Sequence, residues 1–191
     1  DAMQGGVKSI QVAGSISETG YIFLPKVGTL TVGKDVFGQV TSPTIKSIRI
    51  AGNIDGTTGI GLGSINVSSL KSLKVGGDII GGEALGSGAV ISQILGTAII
   101  EGDIKGGAGP DAGSISASYA DKIIVRGNLI GGEGISSGSI KMTTGLLPQA
   151  KAGLIRVEKD LVSGTGVFSG SVSFFAPGVA EKIVVGGSLL G

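Results

Sequence analysis

The chain has 191 residues, of which 38 are glycine, 41% are hydrophobic and 15% are charged, with a net charge of +1 and neither cysteine nor histidine. This composition excludes a collagen, a disordered chain, a disulfide framework and a thiolate metal site, and it removes the imidazole that general bases and metal ligands most often use. The near-zero charge offers no field for nucleic acid, and no run of about 18 apolar residues is present for membrane insertion.

The apolar residues are mainly Ile, Val, Leu and Ala, a mix that suits half-buried strands. In chain order, the first predicted element is the strand and corner Ile10–Ile16 (IQVAGSI). It sets a motif of apolar-x-apolar-x-Gly-[Asp/Asn/Ser]-apolar. The next copy, Leu30–Val36 (LTVGKDV), carries Lys34 in place of the glycine. Then come Ile48–Ile54 (IRIAGNI), Leu73–Ile79 (LKVGGDI), Ala98–Ile104 (AIIEGDI) and Ile123–Leu129 (IIVRGNL). Ile155–Leu161 (IRVEKDL) has Lys159 at the glycine position, and Ile183–Leu189 (IVVGGSL) is the eighth copy. A second motif, Gly-x-apolar-x-x, starts at Gly20, Gly38, Gly63, Gly88, Gly113, Gly138 and Gly170, one in each of the seven gaps.

The spacing shows that these are repeats. Nine residues separate the end of the first motif from the second-motif glycine in the last five gaps, against four and two in the first two. Three successive repeats advance by 25 residues, from Ile48 to Leu73 to Ala98 to Ile123. Later ones lengthen by seven residues around Thr143–Lys151 and by three around Phe175–Val179. Insertions at fixed corners are what a stacked repeat permits.

Alternation within each copy predicts one strand with Ile65 and Val67 inward and a second with Leu73 and Val75 inward. Asn66, Lys74, Arg49, Gln11 and Thr31 are predicted outward. The Gly-[Asp/Asn/Ser] pair is expected to form a tight left-handed corner, after which Ile54, Ile79, Ile104 and Leu129 begin a short third strand. The fold class predicted is all-β: a right-handed, single-stranded parallel β-helix (β-solenoid) of about eight coils with a repeat near 25 residues, forming a rod about 35–40 Å long. Residues 1–191 read as a single β-helix repeat domain, a fragment of a longer array. The glycine content of GGEALGS, GGAGPDA and GGEGISS argues against the helix that a leucine-rich repeat needs.

No catalytic, cofactor-binding or metal residues are assigned, and no cofactor is expected. Gly106-Gly107-Ala108-Gly109-Pro110-Asp111 matches part of a calcium-binding nonapeptide, but Gly113 stands where an apolar residue belongs, and the loop reads as plain glycine turn. The column Asp35, Asn53, Asp78, Asp103, Asn128 and Asp160 reads as corner-forming. The outward column Gln11, Thr31, Arg49, Lys74, Ile99, Ile124, Arg156 and Val184 brings Arg49 beside Lys74 with no Asp or Glu stacked next to them. It cannot assemble the carboxylate pair of a glycosidase. Thr57-Thr58 and Thr143-Thr144 are too isolated for an ice-binding face, and no phosphate-binding glycine motif is present.

The phrases LKSLKVGGDIIGGEALGSGAV and ADKIIVRGNLIGGEGISSGSI resemble the glycine-rich β-helical repeats of large bacterial surface and secreted proteins, including adhesins and autotransporter-type passengers. The resemblance implies an extracellular or cell-surface setting. The function expected is a non-enzymatic structural or adhesive module, a stiff rod whose protruding loops contact a surface polysaccharide or another protein. One alternative is a carbohydrate-binding or carbohydrate-active β-helix, with its chemistry in the insertions near Thr143–Lys151 and Phe174–Val179 or outside this fragment, and with Lys141 and Lys151 as the lysines whose loss should abolish glycan binding. A second is a filament subunit that associates end to end.

Overall fold

The computed structural model describes residues 6–58, 62–145, 147–175 and 177–191. The predicted elements touch the remainder only at the start of the chain, in part of the first nine-residue segment (59–61) and at one position in each insertion (146 and 176), and these lie outside the described residues. Every regular element among the described residues is a β-strand. The expected all-β, solenoid-like parallel architecture is what forms.

The larger sheet runs through Val7–Val12, Val27–Val32, Gln39–Ile50, Ser64–Val75, Val90–Ile100, Ile115–Val125, Ile140–Met142 and Val172–Phe174. Ala150–Val157 and Gly178–Val185 extend it beyond Ile115–Val125, and Tyr21–Phe23 joins at Gln39–Ile50. The predicted short third strands form a separate six-stranded sheet, from Ile54–Asp55 to Leu189–Leu190. All pairing is parallel, and the repeat sets the register. Ile48 pairs with Leu73, Leu73 with Ala98 and Ala98 with Ile123.

In the middle repeats, the two strands expected on either side of a bend are one continuous strand, Ser64–Val75 for example. It bends without losing its ladder, which places a third inward column between the two predicted ones: Ile45, Leu70, Leu95 and Ala120, all fully buried. This column was missed because Val67, Leu70 and Leu73 lie three residues apart, so the alternation breaks at each bend. Like residues stack along the core, and each fully buried Ile, Leu or Val contributes about 1.5–3 kcal/mol.

The corner differs from the expected one. None of the glycines in the Gly-[Asp/Asn/Ser] pairs has a positive φ. Left-handed glycines occur instead at Gly86, at Gly145 and in the last five copies of the second motif, where Gly63, Gly88, Gly113, Gly138 and Gly170 have φ between 48° and 62°. Here the chain enters its next strand, and a Cβ on Gly113 would lie 1.9 Å from the Lys105 carbonyl oxygen.

The Asp/Asn/Ser column does not bond its own turn but reaches the next repeat. The Asp35 Oδ1 accepts the Asn53 N–H at 2.7 Å. Asn53 Oδ1 accepts from Asp78 at 2.7 Å, Asp78 from Asp103 at 2.8 Å and Asp103 from Asn128 at 2.7 Å. Ser15 Oγ begins the series by accepting from Asp35, and Asp160 Oδ1 ends it by accepting from Ser188. Asp, Asn and Ser interchange because each supplies one short-reach acceptor. The preceding glycine is present for room: a Cβ on Gly77 would fall 2.0 Å from Asn53 Oδ1. At Gly14, in the first of the described repeats, a Cβ would meet nothing within 4 Å.

Candidate functional site: a polar groove beside the stacked loops

The glycine-rich segments fold as an ordered stack and are not simple protrusions. Within a loop, the Gly82 N–H donates to Ser87 Oγ at 2.9 Å, and Gly132 and Gly164 make the same bond to Ser137 and Ser169. Between loops, the Gly86 N–H donates to the Pro110 carbonyl, Asp111 to Ile135 and Ser136 to Val167, at 2.8–2.9 Å. This stacking holds Asp111, Ser136 and Phe168 at φ of 54–58°, a region side chains seldom adopt. The apolar tips stand clear: Leu85 is 69% exposed, with Pro110, Ile135 and Val167 exposed at the same repeat position, and Glu83 and Glu133 are exposed beside them.

Between this ridge and the outer face of the long sheet lies a groove of about 360 Å³. Its floor carries Gln39, Thr41, Ser64 and Asn66, and Leu85 and Asp111 stand in its wall. Parallel register brings the floor together: Gln39 pairs with Ser64, and Thr41 with Asn66. On these strands Ser47 and Ser72 bond each other across the repeat, whereas, among the described residues, the side chains of Gln39, Thr41 and Asn66 make no hydrogen bond within the protein. The same register extends one strand further, where Tyr21 pairs with Gln39 and Phe23 with Thr41. Tyr21 and Phe23 are 58% and 60% exposed, with nearly parallel rings 6.2 Å apart.

Several of the charged groups near the groove and along the stack are paired. Asp111, the acidic residue of the nonapeptide-like loop, is held by the Lys141 ammonium, whose side chain is nearly buried. An ammonium thus stands where a cation would have to sit. Lys151, at the end of the insertion, pairs with Glu181 at 3.3 Å. Thr57 donates to Asp55 both from its backbone N–H and from its hydroxyl, a local loop bond, and Thr143 closes its strand on the Ala117 carbonyl. Among the described residues, no three Asp or Glu side chains converge as a metal cage requires.

One member of the basic pair on the outward column, Lys74, meets a carboxylate that comes from outside that column. Glu101 sits at the corner of the following repeat and reaches Lys74 at 2.8 Å and Arg126 at 3.0 Å. It was missed because it lies outside the column that was aligned. The Lys74 hydrogen bond, aided by the Arg126 charge, holds the Glu101 carboxyl below its ordinary value. Lys105 bridges two rungs, 2.6 Å from Asp78 and 3.3 Å from Asp103. Its bond to Asp78 leads the effects that raise the Lys105 ammonium. At Asp103, burial works to raise the carboxyl but is outweighed by the Asn128 N–H and by Lys105, so it lies below its ordinary value. The Asp121 carboxylate accepts the Tyr119 hydroxyl at 2.6 Å and raises it.

The groove therefore presents amide and hydroxyl groups, with two exposed rings on the strand beside it and, among the described residues, no cation in its lining, a chemistry suited to an uncharged polar ligand. Comparison with family models, with curated proteins and with solved structures gives no match for the chain.

Proposed function

We propose that the chain is a non-enzymatic structural or adhesive module: a right-handed β-helical rod of about eight coils, working at a cell surface or outside the cell. Its resemblance to bacterial adhesin and autotransporter-passenger repeats agrees with that setting. The observation that carries the reading is the unbroken series of side-chain rungs from Ser15 to Ser188. The polar position that recurs in every repeat holds the next repeat in place, as a stiff rod requires and a reacting centre does not. The loop ridge would then serve as the contact edge for a surface polysaccharide or another protein. Beads coated with the protein should adhere to polysaccharide- or protein-coated surfaces under flow, and the purified protein should leave acidic and neutral glycans uncut. Release of product from any of those glycans would overturn the reading.

A second reading is association of copies end to end. In it, the apolar surface of Val172, Ile183, Val185 and Leu189 would meet the next copy. Light scattering at rising concentration should then show growing mass; a constant monomer mass would remove it.

A further inference from the structure

We infer that the groove between the loop ridge and the sheet, with Tyr21 and Phe23 beside it, binds a neutral oligosaccharide. The proposal rests on the groove's geometry and not on the adhesive role, so either can fail alone.

Shape comes first. A volume of about 360 Å³ lies within the roughly 300–1,000 Å³ of small-molecule sites, enough for a short segment of a chain that continues past the groove. The groove is built from several repeats, with Gln39, Asn66 and Leu85 meeting only because the ladder is in register. It is therefore as rigid as the stack, which keeps the ordering cost of binding low.

Chemistry then selects the ligand. Sugar hydroxyls both donate and accept hydrogen bonds, and amide and hydroxyl side chains answer both demands. Gln39, Thr41, Ser64 and Asn66 provide this as two paired rows on neighbouring strands. Sugar rings also have apolar faces, which bury well against aromatic rings. Tyr21 and Phe23 lie one strand beyond Gln39 and Thr41 in register, and their rings are exposed and nearly parallel. Leu85 and Ile91 add apolar surface on the opposite side.

Charge narrows the class further. Among the described residues, the single ionisable one in the lining is Asp111, and Lys141 neutralises it. Nothing in the lining attracts a uronate or sulfate, so a neutral chain fits better than an acidic one.

The test is titration calorimetry of the whole chain with cellohexaose, chitohexaose, maltohexaose and an oligogalacturonate. At least one neutral oligosaccharide should bind, and more tightly than the oligogalacturonate. Asn66→Ala and Gln39→Ala should each weaken binding about three- to tenfold, the equivalent of one hydrogen bond, and Tyr21→Ala at least as much. Arg49→Ala, on another outward column, should leave binding unchanged, with melting curves verifying the fold of each variant. An independent readout needs no variant: the sugar should shift the ring resonances of Tyr21 and Phe23, and leave those of Tyr119 in place. No binding by any neutral oligosaccharide, stronger binding of the acidic one, or full affinity in the Asn66 and Gln39 variants would overturn the proposal.

Discussion

Repeats cornered by glycine and repeats cornered by lysine bond to their neighbours through the same kind of rung, but not equally well. Where glycine precedes the Asp or Asn, as at Gly52, Gly77, Gly102 and Gly127, the rungs measure 2.7–2.8 Å. Where Lys34 or Lys159 precedes it, the rung is 3.2 Å. The lysine Cβ occupies the space the acceptor below would use. At Lys34 the acceptor below is the shorter Ser15 side chain, while at Lys159 it is Asn128, whose bond to Asp160 lengthens. The corner glycine is thus explained by the side chain beneath it and not by its own backbone torsion.

This difference can be broken or sharpened by substitution, and the largest effect should come from filling the space. Gly102→Ala would place a Cβ 2.0 Å from Asp78 Oδ1 and 2.8 Å from the Gly77 carbonyl oxygen. Such overpacking should destabilise by about 1–3 kcal/mol, read as a fall in Tm of several degrees. Removing an acceptor comes next. Asp103→Ala strands the half-buried Asn128 N–H and should lose about 1–2 kcal/mol, whereas Asp103→Asn keeps the rung and should lose less than about 1 kcal/mol.

The two Asp103 variants should also separate by pH. Folding lowers the Asp103 carboxyl, so its contribution is complete above its ordinary value of 3.8 and disappears as pH falls through the folded value. Glu101 acts in the same direction from an ordinary value of 4.5. The raised Lys105 contributes at neutral pH and loses its contribution only above its ordinary 10.5. Wild-type Tm should therefore hold across the neutral range and fall below about pH 4, less steeply in Asp103→Asn. The smallest effect is a gain: Lys159→Gly should shorten the Asn128–Asp160 rung and stabilise by about 0.5 kcal/mol, measured by denaturant melting. An unchanged Tm would mean that the 3.2 Å rung is already as strong as the others.

Much of this fold was legible because the repeat repeats its chemistry. The alternation at Ile65–Val67 and Leu73–Val75 assigned the strands, the 25-residue step predicted the register, and the Asp/Asn/Ser column marked the corner. The direction of the corner bond was not legible, because Asp35 can reach its own backbone or the next repeat's, and only stacking decides between them. The Leu70 column was hidden by the bends on either side of it. The groove escaped detection for a different reason: Gln39, Asn66 and Leu85 form no motif in the sequence, and stacking alone brings them together. Asp111 was seen as a candidate, but its partner Lys141 lies 30 residues away at a different position in the repeat.

The most direct measurement of the rung account is a double-mutant cycle between Gly77 and Asn53, which carry no charge to confuse the reading. Gly77→Ala alone brings a Cβ to 2.0 Å from Asn53 Oδ1, while the nearest backbone atom beneath is 3.1 Å away. If steric conflict with that acceptor is the cause, Asn53→Ser, which recreates the Ser15–Lys34 arrangement, should recover most of the stability lost to Gly77→Ala. The account predicts a coupling energy of about 1 kcal/mol or more between the two sites by denaturant melting. Additive losses would contradict it and return the glycine's role to its own backbone.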